Sequence, residues 1–176
     1  MRALVVYESM YGNTHRIAEA IGEGLAEGFQ VDVVPVEHAG AGLVEAADLL
    51  VVGGPTHAHS LSRAGTRASA AAEARKPGST LILDPAAEGP GLREWLDAPL
   101  VTQARAAAFD TRMDAPAVLT GRAAKGIARR LRQRGLELVG EPESFLVTKQ
   151  NHLEPQEVGR AREWGRQLVG SLTPRG

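Results

Sequence analysis

The chain has 176 residues and a formal charge of -1 from 20 basic and 21 acidic side chains, and it contains no cysteine. That length fits one domain burying about 70% of the surface its unfolded form exposes. The charge balance lacks the basic excess of a dedicated nucleic-acid binder, and without thiols there is no disulfide framework, zinc thiolate site, iron–sulfur cluster or thiol catalysis. Any redox chemistry therefore has to be borrowed from a cofactor. No apolar run reaches the roughly 18 residues of a membrane span, and "MRALVVYES" enters a strand with no signal-peptide pattern, so a soluble cytoplasmic protein is expected. Seventeen of the 20 cations are arginine beside abundant alanine, a bias that GC-rich coding produces as readily as guanidinium chemistry does.

In chain order, short apolar runs bounded by Gly, Pro or Asp alternate with helical patterns. Strands are predicted at 3–7, 30–36, 48–54, either 79–84 ("STLILD") or 104–110 ("ARAAAFD"), and 144–148; their continuous apolar character suits strands buried on both faces of a parallel sheet. Between the first two, 13–27 puts Ile17, Ala18, Ile21 and Leu25 on one helical stripe that Gly28 ends. Further helices are predicted at about 64–75, 120–134 and 155–171, the last opened by Pro155. This alternation implies right-handed crossovers and a doubly wound α/β sheet with helices on both faces. Residues 84–99, "DPAAEGPGLREWLDAP", interrupt it as a connecting excursion around one short amphipathic turn. A single domain over 1–172 with a tail at 173–176 is expected.

In such a sheet the loops at the strands' carboxyl ends share one edge, where ligands bind. The first is "YESMYGNTHRIAEAIGEGL". Ser9, Asn13 and Thr14 supply side-chain donors, Gly12 allows close backbone approach, and the helix starting near Asn13 presents unpaired N–H groups to an anion. Three or four charge-assisted bonds at about 1.5–3 kcal/mol each outweigh a helix-end effect of about 0.3–1 kcal/mol. His15 and Arg16 in the first turn oppose the helix dipole unless an anion sits there. The alternative is an ordinary N-cap, with Ser and Thr serving the helix alone. The stretch matches neither G-x-x-x-x-G-K-[ST] nor G-x-G-x-x-G.

"VVYESMYGNTHRIA" resembles the phosphate loop of the flavodoxin-like family, closest to the S-M-Y-G-[SN]-T form. The resemblance implies a five-stranded parallel sheet of order 2-1-3-4-5. It also implies a flavin mononucleotide (FMN) cofactor with its phosphate on Ser9, Met10, Tyr11, Gly12, Asn13 and Thr14. "VVGGPTHAHSLSR" is similar to the family's first flavin-flanking loop: Gly53 and Gly54 are expected to permit a close chain reversal, and Pro55, Thr56, His57, Ala58 and His59 to lie against the ring. Known members place a tryptophan and a tyrosine there. This chain has seven aromatics in all, so an imidazole has to substitute. Read as a metal pair, His57-x-His59 lacks a nearby carboxylate to complete a ligand set. The next family loop falls on Asp110, Thr111, Arg112 and Met113, with Phe109 in the core and Arg112 either neutralising Asp110 or touching ligand. Residues 148–152 reach the same edge without a family motif. If 84–99 covers the site, Trp95 brings an indole toward the ring.

A reduced flavin carries negative charge, which carboxylates oppose and cations favour. The expected rim of His57, His59, Arg63, Arg67 and Arg112 against Asp110 alone implies a relatively high potential, suited to two-electron transfer to a quinone-like acceptor. His57 or His59 is a candidate proton source. The leading expectation is an FMN-binding oxidoreductase, NAD(P)H- or quinone-linked, or an electron-transfer protein. The alternative is a flavin-free binding or regulatory domain on the same sheet; paired carboxylates for a phosphate-ester enzyme are missing. The segment "GRAAKGIARRLRQRG" at 121–135 carries six cations and no acid, either as a solvated helix face or as a dock for an acidic redox partner or a nucleotide phosphate.

Overall fold

The computed structural model describes residues 1–57 and 59–172, so the expectations placed on Ala58 and on 173–176 lie outside the described residues. Five strands, β1 (Arg2–Tyr7), β2 (Gln30–Pro35), β3 (Leu49–Pro55), β4 (Arg105–Met113) and β5 (Glu143–Val147), form one parallel sheet of order β2-β1-β3-β4-β5. The helices are α1 (Asn13–Leu25), α2 (Ala41–Glu45), α3 (Ala64–Ala74), α4 (Leu92–Asp97), α5 (Ala117–Thr120), α6 (Ala123–Gln133) and α7 (Glu157–Leu172).

Alternate residues of each strand feed two cores. Ala3, Val5, Tyr7, Leu49, Val51, Ala107, Phe109 and Phe145 pack beneath α1 and α7, where Ile17, Ile21, Leu25, Ala161 and Leu168 meet them. On the other face Leu4, Val6, Leu50, Val52, Ala106 and Ala108 lie under α4 and α6. Near-total burial of β1 and β3 explains their unbroken apolar sequence. Helices α1 and α7 approach closely because Gly24 and Gly165 face each other's backbone; a Cβ on either would strike a carbonyl of the partner helix.

One alternative is decided and two expectations change here. The fourth strand is 105–113, not 79–84, because the alanines at 106–108 fit between two helix layers while Ile82 stands 82% exposed. Asp110, Thr111 and Arg112 are therefore strand residues rather than a loop. Gly53 and Gly54 make no chain reversal; β3 runs through them to Pro55, and Gly53 is small because the Phe109 ring occupies the space a Cβ would take.

Candidate functional site

Immediately after β1 the chain turns under its own hydroxyl: the Gly12 N–H donates to Ser9 Oγ at 3.1 Å, and Gly12 adopts φ 85, a left-handed conformation that glycine takes without strain. Helix α1 begins there with no side-chain cap and no acid in its first turn. The simple capping alternative thus does not describe this helix. Its polar side chains are tied to other loops: Thr14 Oγ1 lies 2.7 Å from Thr111 Oγ1, and Asn13 Nδ2 donates to Asn151 O at 2.9 Å and Asn151 Oδ1 at 3.1 Å. The helix's opening N–H groups keep their partial positive charge for an incoming acceptor.

His15 does not need an anion to justify it. Its Nδ1 lies 3.0 Å from Asp84 Oδ2 and its ring stacks on Tyr7 at 4.6 Å. Burial, with Asp84 adding to it, pushes the Tyr7 hydroxyl up to about 12. The Asp84 N–H also donates to Met10 O at 2.8 Å, so the 84–99 excursion buttresses the loop from behind.

A cavity of about 230 Å³ opens beside this loop, lined by Ser9, Met10, Tyr11, Asn13 and Thr14, by Pro55, Thr56 and His57, and by Thr111, Arg112 and Met113, with a fourth wall of Val147, Thr148, Lys149 and Asn151. Eleven of the residues that the sequence placed in the three family loops thus gather around one space. The segment 148–152, which matched no motif, closes it: Asn151 takes φ 62 and supplies both acceptors for Asn13. A polar Asn at a strand's carboxyl end was the signal available for it.

Gly12, Asp110 and His59 are not on that wall. Gly12 acts through the turn. Asp110 is fully buried on the opposite side of β4, where Oδ2 accepts the Ala124 N–H of α6 at 2.7 Å and the Thr56 hydroxyl at 3.2 Å. It therefore anchors α6 and contributes no charge to the cavity surface. Burial raises its carboxyl above the usual range against those hydrogen bonds. His59 is exposed at φ 72 in a neighbouring depression with Arg112, Met113 and Leu119, and its backbone abuts Gly121, where a Cβ would collide. Arg112 does not neutralise Asp110; its Nη1 donates to Ala115 O at 2.7 Å.

Trp95 is also redirected. Its Nε1 donates to Ala39 O at 3.1 Å and its ring joins the core under α6, away from the cavity. Arg67 is held by Glu94, at 3.3 Å, and by Ser62 Oγ at 3.1 Å, which removes it from the free cations of the rim. Glu8, on which no sequence expectation fell, lies 6% exposed, its Oε2 accepting the Leu92 N–H at 2.7 Å. Its charge is felt at His57 from another element, but among the described residues no group of three or more histidines and carboxylates is placed to hold a metal ion.

Hydroxyls, an uncapped helix end and an adjoining slot between loops suit a phosphate ester with a planar extension, so the residues present fit FMN. The family model for flavodoxin matches residues 5–158. Among solved structures, the chain resembles oxidised flavodoxin 2 from Bacillus cereus, with TM-score 0.67 and 20% identity over 98% of this chain and 100% of that one. It also resembles a flavodoxin from the domain Archaea, with TM-score 0.65 and 19% identity over 97% of each chain. Comparison with curated protein sequences returns no match. The chain belongs to the flavodoxin family, in which FMN is the cofactor and electron transfer to a redox partner the task.

Proposed function

We propose that this protein binds FMN in the cavity beside α1 and works as an oxidoreductase that favours two-electron transfer to a quinone-like acceptor. The observation that carries the reading is the composition of the cavity wall. Among the described residues it contains His57, Arg112 and Lys149 and not one carboxylate. Bound FMN supplies hydride and electron chemistry at its ring. Ser9, Asn13, Thr14 and the N–H groups opening α1 would hold the phosphate, and Pro55, Thr56 and His57 with Thr111, Arg112 and Met113 would receive the ring. Negative charge on a bound flavin would meet the Arg112 and Lys149 side chains of this wall; a unit pair at about 4 Å is worth about 4 kcal/mol at an effective dielectric of about 20. That favours reduction, the opposite of what a low-potential carrier requires.

A redox titration of the FMN-loaded protein tests the proposal: the two electrons are expected to enter within a narrow span at relatively high potential. A second electron entering only at strongly low potential rejects it. A nicotinamide nucleotide suits the chemistry of the donor. Lys125, Arg129 and Arg132 stand exposed on α6 without an ion-pair partner among the described residues, whereas Arg130 reaches Asp97 at 3.4 Å. They suit an acidic partner, whose reaction then slows as salt rises.

One observation favours a second reading, a flavin-free binding domain. Tyr11 is the cavity's sole phenyl-type ring among the described residues, and its hydroxyl is already committed to Ala70 O at 2.9 Å. Yellow colour on purification, or quenching of FMN fluorescence by the apo-protein, separates the two.

A further inference from the structure

The α1 end of the cavity is short of positive charge, and a turn from a distant part of the chain is fastened to it. The loop at 9–14 brings hydroxyls, an amide and backbone N–H groups to the wall, but no cation. The next two basic residues of α1 are engaged elsewhere: His15 meets Asp84, and Arg16 lines a neighbouring depression with Thr80, Leu81 and Ile82. A phosphate monoester carries a charge of about −1.5 to −2 at neutral pH, which a helix end equivalent to roughly half a charge does not balance. The basic residues of the wall come from other elements: His57 after β3, Arg112 on β4 and Lys149 after β5. Arg112 is turned to the segment beyond β4, its Nη1 donating to Ala115 O at 2.7 Å. Lys149 is exposed and has neither a hydrogen bond nor an ion pair through its side chain among the described residues.

The turn that carries Lys149 also fixes where it stands. The Asn151 N–H donates to Thr148 O at 3.0 Å and the Thr148 N–H to His152 O at 2.7 Å, so Lys149 and Gln150 are the turn's central residues. Lys149 lies on the cavity side and Gln150 on the side of the neighbouring depression. Asn151 takes φ 62 and accepts Asn13 Nδ2 on its backbone oxygen at 2.9 Å and on Oδ1 at 3.1 Å. Asn13 is the first residue of α1, so the turn is tied to the helix end where an anion is held.

We propose that the turn at 148–152 forms the second side of the phosphate site. Lys149 supplies the counter-charge that the 9–14 loop lacks, and Asn151 is the positioning residue that holds the turn against α1. Together they make the cavity select a phosphorylated flavin over one without a phosphate. The inference rests on FMN as the ligand, and not on the potential of its ring or on the acceptor.

The test compares FMN with riboflavin, which has the same ring and ribityl chain without the phosphate, by fluorescence quenching on the flavin-free protein. Lys149→Ala is expected to weaken FMN about tenfold while riboflavin stays within about twofold. The same variant flattens the fall of FMN affinity with rising salt, and Lys149→Arg restores most of the affinity. Asn151→Gly keeps a residue at ease at positive φ and removes the Oδ1 acceptor. It is expected to weaken FMN about threefold, again with riboflavin unmoved. Circular dichroism verifies that each variant folds. Equal losses for the two flavins place Lys149 beside the ring and overturn the proposal, as does unchanged FMN affinity. If wild type binds neither flavin, the FMN reading itself fails, and the turn is judged with inorganic phosphate alone. Amide resonances at 12–15 and 149–151 that shift with phosphate in wild type and not in Lys149→Ala uphold the site; an unresponsive turn overturns it.

Discussion

The two ends of the cavity are built on opposite plans. At the α1 end Ser9, Asn13 and Thr14 each have a hydrogen-bond partner, on three different loops or strands. At the other end His57 Nε2 and Arg112 Nε, on residues of the wall, are buried without a partner, and off the wall so are Glu8 Oε1 and Asp110 Oδ1, the four such atoms among the described residues. The first end is a rigid cradle, complete before any ligand arrives, which suits a phosphate whose charge never changes. The second holds unsatisfied polarity next to the place where charge is expected to change. A protein able to satisfy three loops at one end has not failed by accident at the other.

The sharpest way to break this comparison is to remove polarity from the second end. Asp110→Ala strips the acceptor from the Ala124 N–H and the Thr56 hydroxyl, two buried donors worth about 1–3 kcal/mol each when orphaned, and is expected to cost about 3 kcal/mol by urea unfolding. Asp110→Asn probes the charge instead. Because burial raises the folded carboxyl's pKa, the folded state holds that proton more tightly than the unfolded one. The resulting stability is present at low pH and is lost as pH rises from the ordinary carboxylate value toward the raised one. Asn lacks this slope, so its stability relative to wild type should improve between pH 4 and pH 7; a pH-independent difference would contradict the raised carboxyl.

At the cradle the next effect is on binding. Thr14→Val removes a phosphate donor and leaves the Thr111 hydroxyl buried without its partner at 2.7 Å. A loss of about 2–3 kcal/mol corresponds to FMN affinity weakened roughly 30- to 150-fold, read by fluorescence quenching. Affinity within twofold of wild type would remove Thr14 from the phosphate site.

The cradle was also the more legible end. Ser9, Gly12, Asn13 and Thr14 are contiguous, and hydroxyls around a glycine between strand and helix announce an anion loop. Apolar runs with helical stripes between them were enough to place β1, β2, β3 and β5, because a sheet buried on both faces leaves little choice of residue. The fourth strand was ambiguous because "STLILD" and "ARAAAFD" are equally short and apolar; long-range pairing with β3, invisible locally, selects the second. The ring end was read less well for the same reason. Whether Asp110 faces the cavity or α6 depends on strand phase. Glu8, Lys149 and Asn151 arrive from separate elements, and Gly53 reflects the bulk of Phe109 on the neighbouring strand rather than any turn.

Trp95→Ala separates packing from binding. The indole is half-buried against the α6 core and bonded to Ala39 O, so its loss is expected to cost about 2 kcal/mol, less than the 3–5 kcal/mol of a fully buried aromatic. FMN affinity should not move. Weakened affinity at preserved stability would return the 84–99 excursion to the site as a cover.

The smallest effect sharpens the comparison most directly. His59 holds φ 72, a region asparagine visits more readily than bulkier residues, and its exposed side chain is ion-paired to nothing among the described residues. His59→Asn should therefore gain about 0.5 kcal/mol or less in thermal unfolding. If the imidazole does stand in for the family's ring-stacking aromatic, the same variant loses several-fold in FMN affinity, and strain is being kept at this end because the ligand uses it. A variant that is both more stable and equally tight would mean that the ring end owes nothing to His59, and would leave His57 as the one histidine there with a claim on the flavin.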